Sequence, residues 1–249
     1  MTDTVTVSTP VDGVRLLEIN RPARRNALDT ATYDGLSDGI RDADADPSVR
    51  VIVLAGTQGV FTAGNDLADF QAGAREATPP AIVFLRTIST CETPLVAGVE
   101  GFAVGIGTTM LLHCDLAYAG VSARLRMPFV SLGLCPEGAS SLLLPLVAGS
   151  KAAAHLLMFG EEFSGAEAAR FGVVNEAVED GTAVARALER ATVLARLPAD
   201  SVLTTKALLR KAGPQAVAET IERERGEFER LRQGPAAQAA FAAFLGKAR

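Results

Sequence analysis

Tryptophan is absent from this 249-residue chain, and histidine and cysteine are scarce, at two and three residues. Neither His113 nor His155 has a second plausible metal ligand near it, so both read as structural and no metal site is expected. Cys91, Cys114 and Cys135 are odd in number, far apart and set among apolar residues. That pattern favours buried thiols of a reducing compartment over a disulfide framework. No apolar run reaches the roughly 18 residues of a membrane-spanning helix. The opening "MTDTVTVSTP" lacks the basic and apolar regions of a signal peptide. A cytoplasmic protein without a membrane partner is the expectation. Excess basic charge is missing too: the formal net charge is −5 and no basic stripe interleaved with aromatics occurs, which argues against a nucleic-acid partner.

Apolar residues make up 48% and charged residues 21%, a globular balance rather than a disordered one. The length suffices for one large domain or a core with an appendage. "TVTVS" and "VRLLEIN" read as strands joined by a turn at Asp12-Gly13. A helix follows, starting near Asp29 or Thr30, then the buried strand "VRVIVLAG". "TQGVFTAGNDLADF" reads as a glycine-containing loop entering a short helix. "TPPAIVFLRTISTCETP" reads as a helix with proline in its first turn and a stop at Pro94. The strand "LVAGVEG", a helix from "GIGTTMLLHC" and the strand "DLAYAG" come next. From about Gly149 the chain turns mostly helical, with Ser150 and Ser164 as expected N-caps, Gly160 and Gly172 as closing glycines and an extended "VVNEAV". Longer helices are expected from about Thr182, Ala199 and Pro214, and the last stretch has an apolar stripe around Phe241 and Phe244.

Two glycine turns, "FTAGNDL" and "GFAVGIGTT", each follow a buried strand and lead into a helix. Unpaired backbone N–H groups at such a place suit an oxyanion or a phosphate, although a plain tight turn reads the same way. Gly59 to Gly64 has P-loop spacing, but Asn65-Asp66 follow in place of Lys-Ser/Thr, and "GIGTTM" lacks the third glycine of a dinucleotide fingerprint. No Gly-x-Ser-x-Gly elbow exists. "LGLCPEG" sets one carboxylate, Glu137, between Pro136 and Gly138 with apolar flanks. A charge there is costly to desolvate. Glu137 is then either the cap of the next helix or a base kept in a dry pocket.

"INRPARRNALD", "VIVLAGTQGVFTAGNDLADF", "VAGVEGFAVGIGTTMLLHCDLAYAG" and "FGVVNEAV" resemble, in order and spacing, the crotonase (enoyl-CoA hydratase/isomerase) superfamily. The resemblance implies an α/β fold, a crotonase-type ββα spiral core over 1–195 with a helical C-terminal trimerisation region over 196–249. It implies a homotrimer or hexamer acting on an acyl-CoA thioester, with no cofactor beyond the CoA of the substrate. The oxyanion-hole amides fall on Asn65 and Ile106, the latter where the family usually has glycine. Ala63, Gly64, Asp66, Leu67 and Gly105 fall beside them as substrate-binding positions, and Arg24 and Arg25 where the CoA phosphates lie. A guanidinium suits phosphate, and Lys206 is a weaker candidate for the same role.

The two glutamates of enoyl-CoA hydratases fall on Thr109 and Phe129, neither of which transfers a proton. "MPFVSLGLCPEGASSLLLPLVAG" resembles instead the peroxisomal-type Δ3,Δ2-enoyl-CoA isomerases, in which one glutamate is the acid/base, here Glu137. Thr109 is then only the occupant of a vacated position. The expected activity is an isomerase of fatty-acid β-oxidation. The alternatives are a hydratase-like reaction, another crotonase-type hydrolase or lyase, and a non-catalytic acyl-CoA binder.

Overall fold

The computed structural model describes residues 4–66, 78–210 and 213–247, with side chains to residue 243. The short helix expected after "FTAGNDL", Leu67 and the Phe244 side chain lie outside the described residues. Strand β1 (Val5–Val11) pairs antiparallel with β2 (Val14–Ile19) through the Asp12-Gly13 turn. Helix α1 (Thr30–Ala45) is capped by Asp29, whose carboxylate accepts from the Thr32 N–H at 2.9 Å. β3 (Val51–Gly56), α2 (Pro80–Thr90), β4 (Leu95–Val99), the short β5 (Phe102–Val104), the single turn α3 (Ile106–Thr109), β6 (Leu116–Gly120) and β7 (Arg124–Arg126) follow. Then come α4 (Ser140–Ala148), α5 (Ser150–Phe159), β8 (Phe163–Ser164), α6 (Gly165–Arg170), β9 (Glu176–Val178), α7 (Ala183–Ala195), α8 (Ala199–Arg210), α9 (Pro214–Arg232) and α10 (Pro235–Lys247).

Six strands form one sheet in the order β1-β2-β3-β4-β6-β9, parallel from β2 onward; β5, β7 and β8 form a second, smaller sheet. Alternation along the central strands explains their unbroken apolar runs. Leu17, Ile52 and Leu54 point into a core shared with Leu36, Ile40, Phe84 and Ile88 of α1 and α2. Leu16, Val51 and Val53 point to the other face, where Ala187 and Ala191 of α7 cover them. A parallel sheet buried on both sides has no polar face to show.

Three local expectations change. The residue before α5 is Gly149, so Ser150 is the first helical residue rather than the cap. α2 stops at Thr90 because Cys91 turns extended, before Pro94 is reached. Strands β5, β7 and β8 were not foreseen, since two or three residues are too few to show a period. Ser164 is a cap as expected, in a reciprocal box with Glu167. All three cysteines are free thiols. Among the described residues no helix is long and apolar enough to cross a membrane.

Candidate active site

Thr62 and Ala103 form an isolated bridge between the two glycine loops: Thr62 N–H donates to Phe102 O at 2.8 Å and Val104 N–H to Thr62 O at 3.2 Å. The loops therefore lie side by side. Gly64, at φ 85°, is pressed so closely on the second loop that a Cβ there would sit 2.4 Å from the Val104 carbonyl oxygen. Accounting for the donors singles out three amides, one on the first loop and two on the second. Ala63 donates to Arg25 O, Gly64 to Thr62 Oγ1, and Asp66 to Leu28 O. Val104 donates to Thr62 O, Gly105 to Arg126 O, and both Thr108 and Thr109 to Gly105 O. Among the described residues the N–H groups of Asn65 and, at the head of α3, Ile106 and Gly107 have no acceptor.

Glu137 stands on a turn of unusual backbone, with Gly133, Gly138 and the non-glycine Ala139 all at positive φ. Its side chain is 8% exposed, and Oε1 accepts from Thr109 Oγ1 at 2.6 Å. Thr109 closes the turn that Ile106 opens, so α3 ties the carboxyl to a free amide over a rise of about 4.5 Å. Thr109 is thus a partner of Glu137, not only an occupant. Burial pushes the Glu137 carboxyl up to about 8; the Thr109 hydroxyl acts in the opposite sense and the Glu224 charge adds to the rise. The buried His113 donates from Nε2 to Gly138 O at 2.7 Å, pinning the turn, and burial lowers its ring to about 4, so it does so as a neutral ring. Its role is structural, as is that of the exposed His155, which faces Glu161 at 3.1 Å.

The cap reading of Glu137 is answered by a residue that the sequence did not single out. Glu224 of α9, 6% exposed, accepts from Ala139 N–H at 2.6 Å and Ser141 N–H at 2.9 Å, and so fills the cap of α4. Tyr33 was missed as well. Its hydroxyl donates to Asn65 Oδ1 and its ring packs on Phe84, with centroids 5.8 Å apart. Burial, then the charge of Glu137, raise the phenol well above its ordinary range. In sequence Tyr33 is one more apolar-face residue of α1. Phe129, in the position of the second hydratase glutamate, is buried with its ring edge 3.9 Å from where a Gly105 Cβ would lie.

Arg24 and Arg25 are both exposed on a turn joined to the first loop through the bond from Ala63 N–H to Arg25 O. Asn26 locks that turn, donating to Val60 O at 2.6 Å and accepting from Arg21 N–H at 2.8 Å. Asp66 pairs with Arg21 at 3.2 Å, and Arg21 also holds Asp29 at 2.9 Å, so the Asp66 carboxylate is engaged within the protein. Lys206 is no phosphate ligand. It is buried, with Nζ donating to Thr93 O at 2.6 Å and Asp115 at 2.7 Å.

A six-stranded sheet covered by helices on both faces, a second small sheet, and two adjoining loops that present amides, one of them heading the turn whose Thr109 holds Glu137, place the chain among crotonase-type α/β spirals. Residues 10–249 match the model of the enoyl-CoA hydratase/isomerase family, and the chain belongs to that family. It is 33% identical over 213 residues to human enoyl-CoA delta isomerase 2, covering 82% of this chain and 54% of that protein, so it spans about half the length of that relative. It is 33% identical over 230 residues to the probable enoyl-CoA hydratase EchA14 of Mycobacterium tuberculosis, covering 90% of this chain and 88% of that one. The structure of an enoyl-CoA hydratase/isomerase from Pseudoalteromonas atlantica superposes with a TM-score of 0.93 at 40% identity, covering 98% of each chain.

Proposed function

We propose that this protein is a Δ3,Δ2-enoyl-CoA isomerase of fatty-acid β-oxidation. The observation that carries the reading is the buried carboxyl of Glu137, held on Thr109, with Phe129 where a second proton-transferring group would be needed. The thioester oxygen accepts from the N–H groups of Asn65 and Ile106. Glu137 takes a C2 proton, and the C2–H pair moves into a dienolate whose charge the two amides hold. The carbonyl then reforms, the double bond settles between C2 and C3, and the C3–C4 π pair takes the proton from Glu137 at C4. One carboxyl serves both carbons because they belong to one conjugated system. A proton shift of this kind calls on no metal or redox cofactor.

Similarity to proteins named as hydratases favours a second reading, a hydratase-like use of Glu137 on the same thioester. A spectrophotometric comparison of 3-enoyl-CoA with 2-enoyl-CoA as substrate separates the two. Conversion of the 3-enoyl substrate alone is expected; hydration of the 2-enoyl substrate at a comparable rate would overturn the proposal. Inertness toward both would leave a non-catalytic acyl-CoA binder.

Arg24 and Arg25 are proposed to meet the CoA phosphates. CoA without an acyl chain should then bind more weakly at high salt, and Arg24→Ala or Arg25→Ala should weaken it further in calorimetry. Unchanged affinity in both variants would move the phosphate site elsewhere. A homotrimer or hexamer is proposed as the assembly. Leu146 and Phe159 on α4 and α5, with Leu208 and Leu209 on α8, are 74%, 65%, 64% and 81% exposed, apolar area that association would cover. Sedimentation showing only a monomer at micromolar concentration would rule this out.

A further inference from the structure

We propose that Glu224 is a positioning residue for Glu137: from α9 it fastens the left-handed turn that carries Glu137, and as a second buried carboxylate beside that turn it governs how readily Glu137 gives up its proton. This rests on the reading of Glu137 as the base. Ala139, two residues beyond Glu137, sits at φ 57°, a conformation that a residue with a Cβ keeps only when its surroundings hold it. Glu224 supplies the hold, with one carboxylate oxygen on the Ala139 N–H and the other on the Ser141 N–H. The carbonyl of the same Gly138–Ala139 peptide is held from the other side by His113. Glu137 is thus aimed at Thr109 by contacts that lie behind it, one of them from the C-terminal helices.

The two carboxyls live in different surroundings. Burial raises the Glu224 carboxyl above its ordinary range, but it accepts from two backbone N–H groups at the positive end of the nine-residue α4, which favour its ionised form and offset part of that rise. Glu137 has one hydroxyl donor. Facing Glu137 are the Thr109 hydroxyl, the charge of Glu224, and the neutral phenol of Tyr33 of α1, which the Glu137 charge raises. Facing Glu224 are Arg223 on its own helix, the Ala139 and Ser141 amides, and Cys135 from the loop, whose thiol its charge raises. Arg223 is the one cation in this set, and it lies on the side of Glu224. Two buried carboxyls in unequal surroundings ionise apart, Glu224 first, and the charge it then carries resists ionisation of Glu137.

The test is a pH titration of the full chain carrying 13C at its glutamate side-chain carboxyls, followed by NMR, with the Glu137 resonance identified as the one missing in Glu137→Gln. In Glu224→Gln the Glu137 midpoint should fall by about half a unit or more, and the acid limb of kcat/KM should move with it. An unchanged midpoint in folded Glu224→Gln overturns the proposal, whatever happens to melting temperature. Should that variant not fold, the wild-type curve decides. A second, lower-pH inflection in the Glu137 resonance supports the proposal, and a single-site curve overturns it. The titration is read without substrate, so its failure leaves the base assignment standing. That assignment falls separately if Glu137→Gln turns over normally.

Discussion

Glu137→Gln is expected to lower isomerase turnover by roughly 10²–10⁴, the usual contribution of a positioned acid/base. The amide keeps the volume and still meets Thr109 Oγ1, but it cannot take a proton. Acyl-CoA affinity should change little, because Asn65 and Ile106 hold the thioester through the backbone. Thr109→Val should fall in between. It removes the 2.6 Å hydrogen bond that orients Glu137 and leaves the base in place. The wild-type pH profile should carry the mark of burial. With the free-enzyme carboxyl at about 8, kcat/KM should rise about tenfold per unit below that pH and level off above it. Stability should run the other way. The folded protein holds this proton more tightly than the unfolded chain, whose carboxyl titrates near 4.5. The stabilisation is complete below the unfolded value and is lost as pH rises through about 8. The melting temperature of Glu137→Gln minus that of the wild type should therefore become more positive between pH 5 and pH 9. Wild-type turnover in Glu137→Gln would end the mechanism.

Gly64→Ala should be nearly as damaging, for a steric reason. Its Cβ would need to share space with the Val104 carbonyl oxygen 2.4 Å away, at a φ of 85° that an L side chain resists. Backbone is the obstacle, so no rotamer relieves it. The two glycine loops would have to part, and the amides of Asn65 and Ile106 would lose their common target. Loss of one such donor costs about 10²–10³ in turnover, and the strain adds about 1–3 kcal/mol of destabilisation. Turnover and melting temperature of the variant read these two effects independently. A stable variant with normal turnover would mean that the loops need not be held this closely.

The C-terminal helices belong to the site's architecture in a way that residue spacing does not disclose. α9 delivers Glu224 to the head of α4. α10 presses on the same turn from the other end, where a Cβ at Gly133 would lie 2.6 Å from the Ala237 nitrogen. The turn carrying Glu137 is held between chain segments about ninety to a hundred residues downstream of it.

Local pattern by itself determined the strands of the six-stranded sheet, most helices and the glycine turns of this protein. The reason is that a strand buried on both faces, such as Val51–Gly56, and a capped helix such as Thr30–Ala45 are specified by neighbours within a few residues. Glu137 stood out in sequence because one carboxylate among apolar residues is costly wherever the chain goes. Tertiary structure alone decided what each candidate touches. It gave the α4 cap to Glu224, tied Thr109 to Glu137, set Tyr33 on Asn65, and committed Lys206 to Asp115. Such pairings join residues 28 to 91 positions apart. Polar partners at that separation are chosen by how the elements pack and by which buried donors still lack an acceptor, and neither leaves a period in the sequence.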